Sequence, residues 1–535
     1  MNDAFRPFDM STSPQDWLSA IRQWSRAGTS GATLGLSPIS LQLAMTDWWL
    51  HWVSSPEAQW DWLEQYRQSW LKQPGDEASH DHRFAHPAWK QWPFDQLRQH
   101  YEQVAPLLTG LSRLDGMLPH HQQLVRFVMN QWLDSISPSN WLATNPQVQQ
   151  EGLNSMGAIY LKGWHLLLED LKAQSQAWGQ GAQAQEALPP LTHEVGRAVA
   201  VTPGRVVFRN ELVELIQYEP TTAQVHREPL LIVPSCIMKY YILDLSPHNS
   251  MVKYLVDQGF TVFMISWRNP DSAQRDLGLD DYVQSGLLDS MASIRAQTKT
   301  TRIHAMGYCL GGTFLSMAAA LLAQKRQHPG EWARYPELAT LTLLAAETDF
   351  SEPGDLGVFI DQDQIKGLRE TMDRTGYLSG KQMAAAFQLL GARDLIWGRY
   401  TRRYLLGEAE TGMDLMSWNA DTTRLPHRMH SEYLDTLFLH DDLTEGHYKV
   451  AGIPVALKNL KMPLMVVGTV RDHVSPWRSV YKIHLFTDTD TTFILAAGGH
   501  NAGIVSEPGH PRRGYQICRE QAGHDWVDPD EWIAT

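Results

Sequence analysis

Three cysteines in 535 residues are too few for a disulfide scaffold, and they fit a reducing compartment. Long apolar runs are missing as well. The best of them, Phe314 to Ala323, falls far short of the ~18–20 residues a membrane span needs, so no membrane span is expected. Basic residues are in deficit: 45 Lys and Arg against 59 Asp and Glu leave a net charge of −14. That balance excludes nucleic acid as an expected partner, because neutralising phosphates needs a basic surface. The opening MNDAFRPFDM has no basic segment followed by an apolar core, so no signal peptide is expected. No G-x-G-x-x-G follows a strand-like run and no Walker sequence is present, so no cofactor is expected. His80, His82 and His86 lie in a polar stretch without cysteine ligands, and no metal site is expected there.

The chain is nonetheless built to bury a core. Its hydrophobic fraction of 43% is ordinary for a globular protein, and its length suits two large domains or three smaller ones. Tryptophan is abundant at 21 residues and crowds the first third, as in Trp48, Trp49, Trp52, Trp60, Trp62, Trp70, Trp89 and Trp92. These rings either anchor a small helical core or form a surface that meets something greasy.

Residues 1–190 read as a mainly helical domain. Helical spacing covers Ile39 to Val53, Leu107 to Leu118, His121 to Leu133 and Gly152 to Leu171. The Gln-, Ala- and Gly-rich stretch Gln174 to Pro190 marks a boundary. From 191 to 535 the period changes. Arg205 to Tyr218 alternates like a strand. Short apolar runs follow at Leu230 to Val233, Thr261 to Ile265, Arg302 to Met306, Leu341 to Ala345, Leu464 to Val467 and Thr492 to Ala496. Helical patterns separate most of them, which predicts an α/β fold with a mostly parallel sheet covered by helices. The interval of about 350–450 lacks buried strands but holds helix-like segments, and it reads as an inserted cap subdomain.

The strongest chemical signal is Gly307-Tyr308-Cys309-Leu310-Gly311-Gly312, after one such strand and before the helix Thr313 to Arg326. This is G-x-C-x-G in the strand–turn–helix setting of a nucleophile elbow, with cysteine where serine usually stands. Side chains at the flanking glycines would clash with neighbouring backbone. The helix amino terminus favours the thiolate, and the Leu310 amide points to where an oxyanion would form. A nucleophile needs a base, and the base an orienting acid. Asp472 lies just past the strand Leu464 to Val467, and His500 just past Thr492 to Ala496. Both fall at carboxyl ends of parallel strands, the same edge as Cys309. The loop after Leu230 to Val233 offers a second oxyanion donor near Cys236 or Ile237, with the Cys236 thiol itself structural. His473 is a possible auxiliary residue, and Cys518 carries no assigned role.

These motifs resemble those of the polyhydroxyalkanoate (poly-β-hydroxybutyrate) synthase family, over nearly the whole chain. The resemblance rests on KYYILDL at Lys239 to Leu245, SWRNPD at Ser266 to Asp271, the GYCLGG box, TDFSEPGDLGVF at Thr348 to Phe359, WNADTTRLP at Trp418 to Pro426, RDHVSPW at Arg471 to Trp477 and GGHNAG. In the amino-terminal half it rests on RFAHPAW and PSNWLATNP. The full-length amino-terminal half is similar to that of the single-subunit classes. The resemblance implies an α/β-hydrolase fold with Cys309 as the acylated nucleophile, His500 its base and Asp472 the third member. It implies a 3-hydroxyacyl-CoA substrate, a growing polyester chain, attachment to cytoplasmic polymer granules and a homodimer. Asn501 stands where the family usually has an aliphatic residue, and Ser235 and Met238 also depart from its pattern. Two other functions fit the residues: a thiol-type hydrolase that passes the acyl group to water, and a non-catalytic granule-associated protein.

Overall fold

The computed structural model describes residues 35–71, 81–179, 193–325, 330–409, 412–507, 509–511 and 513–534. Prolines open four of the amino-terminal helices: α1 (Pro38–Ser54), α2 (Pro56–Leu71), α4 (Pro119–Ile136) and α5 (Pro146–Asn154). The fixed proline φ suits a first helical turn, whose N–H groups have no partner within the helix. The side chains of Ser37 and Asn145 cap α1 and α5. Helices α3 (Phe94–Gly110) and α6 (Ala158–Gly179) complete this region. The helix expected over Leu107 to Leu118 is not one. Its first residues end α3, and the chain then turns through Leu111 to Met117 before α4. Likewise, Gly152 to Leu171 is divided between α5 and α6 at Met156 and Gly157, both with positive φ. The boundary expected near residue 190 falls in 180–192, outside the described residues.

Nine strands form one sheet: β1 (Gly204–Arg209), β2 (Val213–Tyr218), β3 (Leu230–Val233), β4 (Val262–Trp267), β5 (Arg302–Tyr308), β6 (Glu337–Leu344), β7 (Leu464–Thr469), β8 (Thr491–Ala496) and β9 (Tyr515–Glu520). Their order is β1-β2-β4-β3-β5-β6-β7-β8-β9. The six strands from β4 to β8 pair in parallel, while β1, β2 and β9 add antiparallel edges. The run expected as one strand over Arg205 to Tyr218 is a hairpin. Asn210 turns it by accepting the N–H groups of Leu212 and Val213 at 2.9 Å.

The central strands are apolar on both faces, and their side chains alternate between two cores. Leu231, Val233, Phe263 and Ile265 join one cluster, and Leu230, Ile232, Val262 and Met264 the other. Helix α7 (Leu310–Lys325) packs into the first and is buried continuously from Leu310 to Leu321.

Between β6 and β7 the chain forms the cap, with α8 (Gln362–Thr375), α9 (Gly380–Leu390), α10 (Asp414–Ala420) and α11 (His427–Glu432), which runs on through Tyr433–Leu439. The amino-terminal helices dock on this cap. Gln131 donates to the Leu389 carbonyl at 2.9 Å, Asp134 pairs with Arg393 at 3.0 Å, and Asp170 pairs with Arg403 at 2.7 Å. Among the described residues, no helix is long and apolar enough to cross a membrane.

Candidate active site

Cys309 occupies the turn between β5 and α7 with φ 53°, a left-handed conformation that a residue with a Cβ adopts only when its surroundings impose it. The surroundings do so through close backbone approach. A Cβ on Gly307 would lie 2.3 Å from Gly312 Cα, and one on Gly311 would lie 2.4 Å from the carbonyl oxygens of Val233 and Pro234. Only glycine lets the elbow fold this tightly against β3. The Cys309 N–H donates to the Leu344 carbonyl at 2.9 Å, which ties the turn to β6.

Asp472 and His500 stand on the loops that leave β7 and β8, the next strands along the same edge. The buried Asp472 carboxylate is fully engaged. Its Oδ1 accepts the N–H groups of Val474 at 2.9 Å and Ser475 at 2.8 Å. Its Oδ2 accepts the Thr469 hydroxyl at 3.1 Å and His500 Nδ1–H at 2.8 Å. Burial alone would raise its pKa. The facing His500 charge and these hydrogen bonds outweigh burial and hold it below the usual carboxylate range. Burial works against a charged His500 ring too, but Asp472, then Cys309, push its pKa well above the ordinary histidine value. Because Nδ1 is engaged by Asp472, Nε2 is the ring nitrogen left for Cys309, which interacts electrostatically with His500. The arrangement can take a proton from a thiol and return one to a leaving group.

Asn501 has a local reason. It accepts the Tyr308 hydroxyl at 2.5 Å, and the Tyr308 ring lies 5.5 Å from that of His500. The residue before Cys309 thus braces the residue after His500.

The loop Pro234 to Met238 lies against the elbow, as Gly311 requires. Trp267 donates to the Pro234 carbonyl at 2.8 Å. The cap closes over the same loop. Thr423 donates its hydroxyl to the Cys236 carbonyl at 2.6 Å and its N–H to the Ile237 carbonyl at 3.2 Å, and Trp418 donates to the Lys239 carbonyl at 2.8 Å. The Trp267 and Trp418 motifs therefore hold the loop from opposite sides. The Ile237 N–H meets the Ser235 hydroxyl at 3.3 Å. The Cys236 thiol is buried, and desolvation raises its pKa well above the ordinary value, which suits a structural residue. Leu310 opens α7 directly after the nucleophile.

Other candidates are placed elsewhere. His473 is largely exposed and pairs with Asp355 at 3.2 Å, a partner on the cap. His82 pairs with Asp394 at 2.9 Å, and His86 accepts the Ala88 N–H at 3.2 Å; His80 lies outside the described residues. Among the described residues, no group of His, Cys, Asp and Glu could hold a metal ion. The tryptophans divide between buried and exposed positions. Trp89 is buried against Phe84, whereas Trp60, Trp70, Trp92 and Trp164 are more than half exposed.

Two groups of the site escape sequence reasoning. Glu347 is buried and Tyr433 partly buried, and both interact electrostatically with Cys309. The one signal for Glu347 is an acidic residue directly after the apolar run Leu341 to Ala346. Tyr433, within a helical pattern of the cap, carries none.

Comparison with known proteins bears on the same residues. The family described as poly-beta-hydroxybutyrate polymerase (PhaC) N-terminus matches residues 80–255, and poly-beta-hydroxybutyrate polymerase N terminal matches 18–57. The alpha/beta hydrolase fold family matches 229–507, a range that contains Cys309, Asp472 and His500. A poly(3-hydroxyalkanoate) polymerase of Methylorubrum extorquens is 39% identical over 84% of this chain and 73% of its own. The poly(3-hydroxyalkanoate) polymerase subunit of Cupriavidus necator is 34% identical over 99% of this chain and 92% of its own.

Proposed function

The chain belongs to the poly-beta-hydroxybutyrate polymerase family of acyltransferase enzymes, and from that premise we propose that it polymerises (R)-3-hydroxyacyl-CoA into polyester, with release of CoA, through an acyl group carried on Cys309. The supporting observation is the hydrogen bond between His500 and Asp472, with Cys309 in the elbow at the same sheet edge and acting electrostatically on His500.

In this scheme His500 takes the Cys309 proton and the thiolate attacks the substrate thioester. The C–S bond to CoA breaks, and His500 returns the proton to the leaving CoA thiol. One thioester replaces another, so the acyl group stays activated for the next transfer. The 3-hydroxyl of a second acyl unit then attacks that carbonyl. His500, oriented by Asp472, accepts the hydroxyl proton, an ester forms, and the Cys309 sulfur leaves. Amides of Leu310 and of the Cys236–Ile237 loop are the proposed oxyanion donors. Water must be excluded for chain growth to compete with hydrolysis, and the cap seated on the loop by Thr423 and Trp418 is suited to that. The exposed tryptophans of the helical region, which we assign to residues 1–190, support attachment to the apolar polymer granule.

The test is product analysis. Purified protein given 3-hydroxybutyryl-CoA should release CoA and yield polymer, and Cys309→Ala should do neither. Free hydroxy acid in place of polymer would instead mark a thiol-type hydrolase. A Cys309→Ala variant that kept its rate within tenfold would reject the assignment.

A further inference from the structure

The site contains an ionisable group that the proposed chemistry leaves unused. Glu347 lies three residues past β6, the strand between the one that leads to Cys309 and the one that leads to Asp472. Its position is fixed by close packing. Ala345 leaves the strand with φ 46° and donates to the Val467 carbonyl at 2.7 Å. Ala346 presses on the elbow so closely that a Cβ on Gly312 would lie 2.5 Å from its own. The Thr313 hydroxyl, in the first turn of α7, donates to the Glu347 carbonyl at 2.7 Å. The residue is only 4% exposed, and its Oε1 has no hydrogen-bond partner among the described residues.

Its electrostatic neighbours define its state. Asp472, Cys309, His500 and Asp349 act on it from the hydrolase side, and Tyr433 faces it from the cap. Burial first, then the negative charge of Asp472 and of a Cys309 thiolate, raise its pKa well above the carboxylate range, and the His500 charge only partly offsets them. A buried carboxyl in that setting is a neutral acid, with one O–H donor and spare acceptor capacity. A substrate hydroxyl has the same pair of capacities. Leaving such a group unpaired beside a bound acyl chain carries a desolvation cost that a hydroxylated chain removes and a plain one does not.

We propose that Glu347 is a specificity residue that hydrogen-bonds the hydroxyl of the acyl group on Cys309, selecting hydroxyacyl over unsubstituted acyl thioesters. The inference rests on the proposed role of Cys309 as acyl carrier.

The experiment compares 3-hydroxybutyryl-CoA with butyryl-CoA, reading the rate of Cys309 acylation by intact-protein mass spectrometry. Wild type should prefer the hydroxylated substrate by at least about tenfold in kcat/KM. Glu347→Leu should shrink that preference below about threefold by slowing the hydroxylated substrate alone. Glu347→Gln keeps a donor and an acceptor and should keep the preference. Leucine removes an unpaired buried polar group, so the variant should melt no lower than wild type, and Glu347→Met makes the same comparison with an unbranched side chain. No preference in wild type, an unchanged preference in Glu347→Leu, or equal slowing of both substrates would each overturn the proposal. If neither thioester labels Cys309 in wild type, the acyl-carrier role is what fails, and this inference falls with it.

Discussion

His500 Nδ1 lies 2.8 Å from Asp472 Oδ2, while the other Asp472 oxygen is taken by two backbone N–H groups, those of Val474 and Ser475. This division dictates what Asp472→Asn does. The two backbone donors require an acceptor, so they keep the new amide oxygen, and the NH₂ group turns toward His500. Nδ1 must then accept rather than donate, and the ring proton moves to Nε2, the nitrogen that should receive the Cys309 proton. Acylation and chain growth both need the original tautomer. Both should fall by about 10²–10⁴, read as CoA release and as polymer formed from 3-hydroxybutyryl-CoA. A loss below tenfold would show that Asp472 does not orient the base.

The neutral state of Glu347 can be tested without any substrate. Its folded-state pKa is raised by burial and by Asp472, so the folded protein keeps a proton there that the unfolded chain gives up near pH ~4.3. That stabilising contribution is complete below the unfolded value and is lost as pH rises toward the folded one. Glu347→Gln does not titrate. Measured by thermal unfolding, its stability relative to wild type should increase steadily from pH 5 to pH 8. A pH-independent difference would mean that the carboxyl is ionised in the folded protein.

Much of this site could be read in the sequence because backbone geometry and strand order leave plain marks there. Gly307 is needed where β5 and α7 nearly touch and Gly311 where α7 meets the end of β3, and Asp472 and His500 each follow a short apolar strand. What escaped reading lacked a periodic mark. Both halves of the β1–β2 hairpin alternate, so the Asn210 turn is hidden within one pattern. Strand β9 is an edge with largely exposed side chains, so no apolar run announces it. Leu107 to Leu118 is apolar across a turn, and composition alone does not separate a helix end from a helix. Glu347 matters through what surrounds it in space, and no spacing in the chain records that.

His430 gives the cap its own pH dependence. It is buried on α11, three residues before Tyr433, and its Nδ1 has no hydrogen-bond partner among the described residues. Desolvation, helped by the His427 charge, lowers its pKa to about 4. With the folded value below the unfolded one of ~6.5, the unfolded chain binds the extra proton first. Stability is therefore lost as pH falls from about 6.5 toward 4, the reverse of the Glu347 case. His430→Phe retains a ring beside Tyr433 and does not titrate. Denaturant unfolding at pH 4.5 should show the variant gaining about 2–3 kcal/mol on wild type relative to pH 7.5. Parallel acid limbs for the two proteins would contradict a neutral buried His430.

Asp134 meets two arginines, Arg83 within the helical region and Arg393 on the cap, and burial makes them unequal. Its Oδ1 meets Arg83 at 2.9 Å and Arg393 at 3.0 Å. Asp134 and Arg83 are nearly inaccessible, whereas the Arg393 side chain is about half exposed. Removing one partner of a buried pair strands the other charge, at about 3–5 kcal/mol. Here Asp81 still neutralises Arg83 at 2.7 Å, so Asp134→Asn should cost less than that, about 2 kcal/mol. Arg393→Ala removes only a solvent-screened contact and should cost under about 1 kcal/mol. If the Arg393 contact instead carried the docking of the two layers, Arg393→Ala would cost as much as Asp134→Asn, which breaks the same contact. Urea unfolding of the two variants decides between these cases. The outcome bears on catalysis, because a cap that opens over Cys309 must either break the Asp134–Arg393 contact or carry the amino-terminal helices with it.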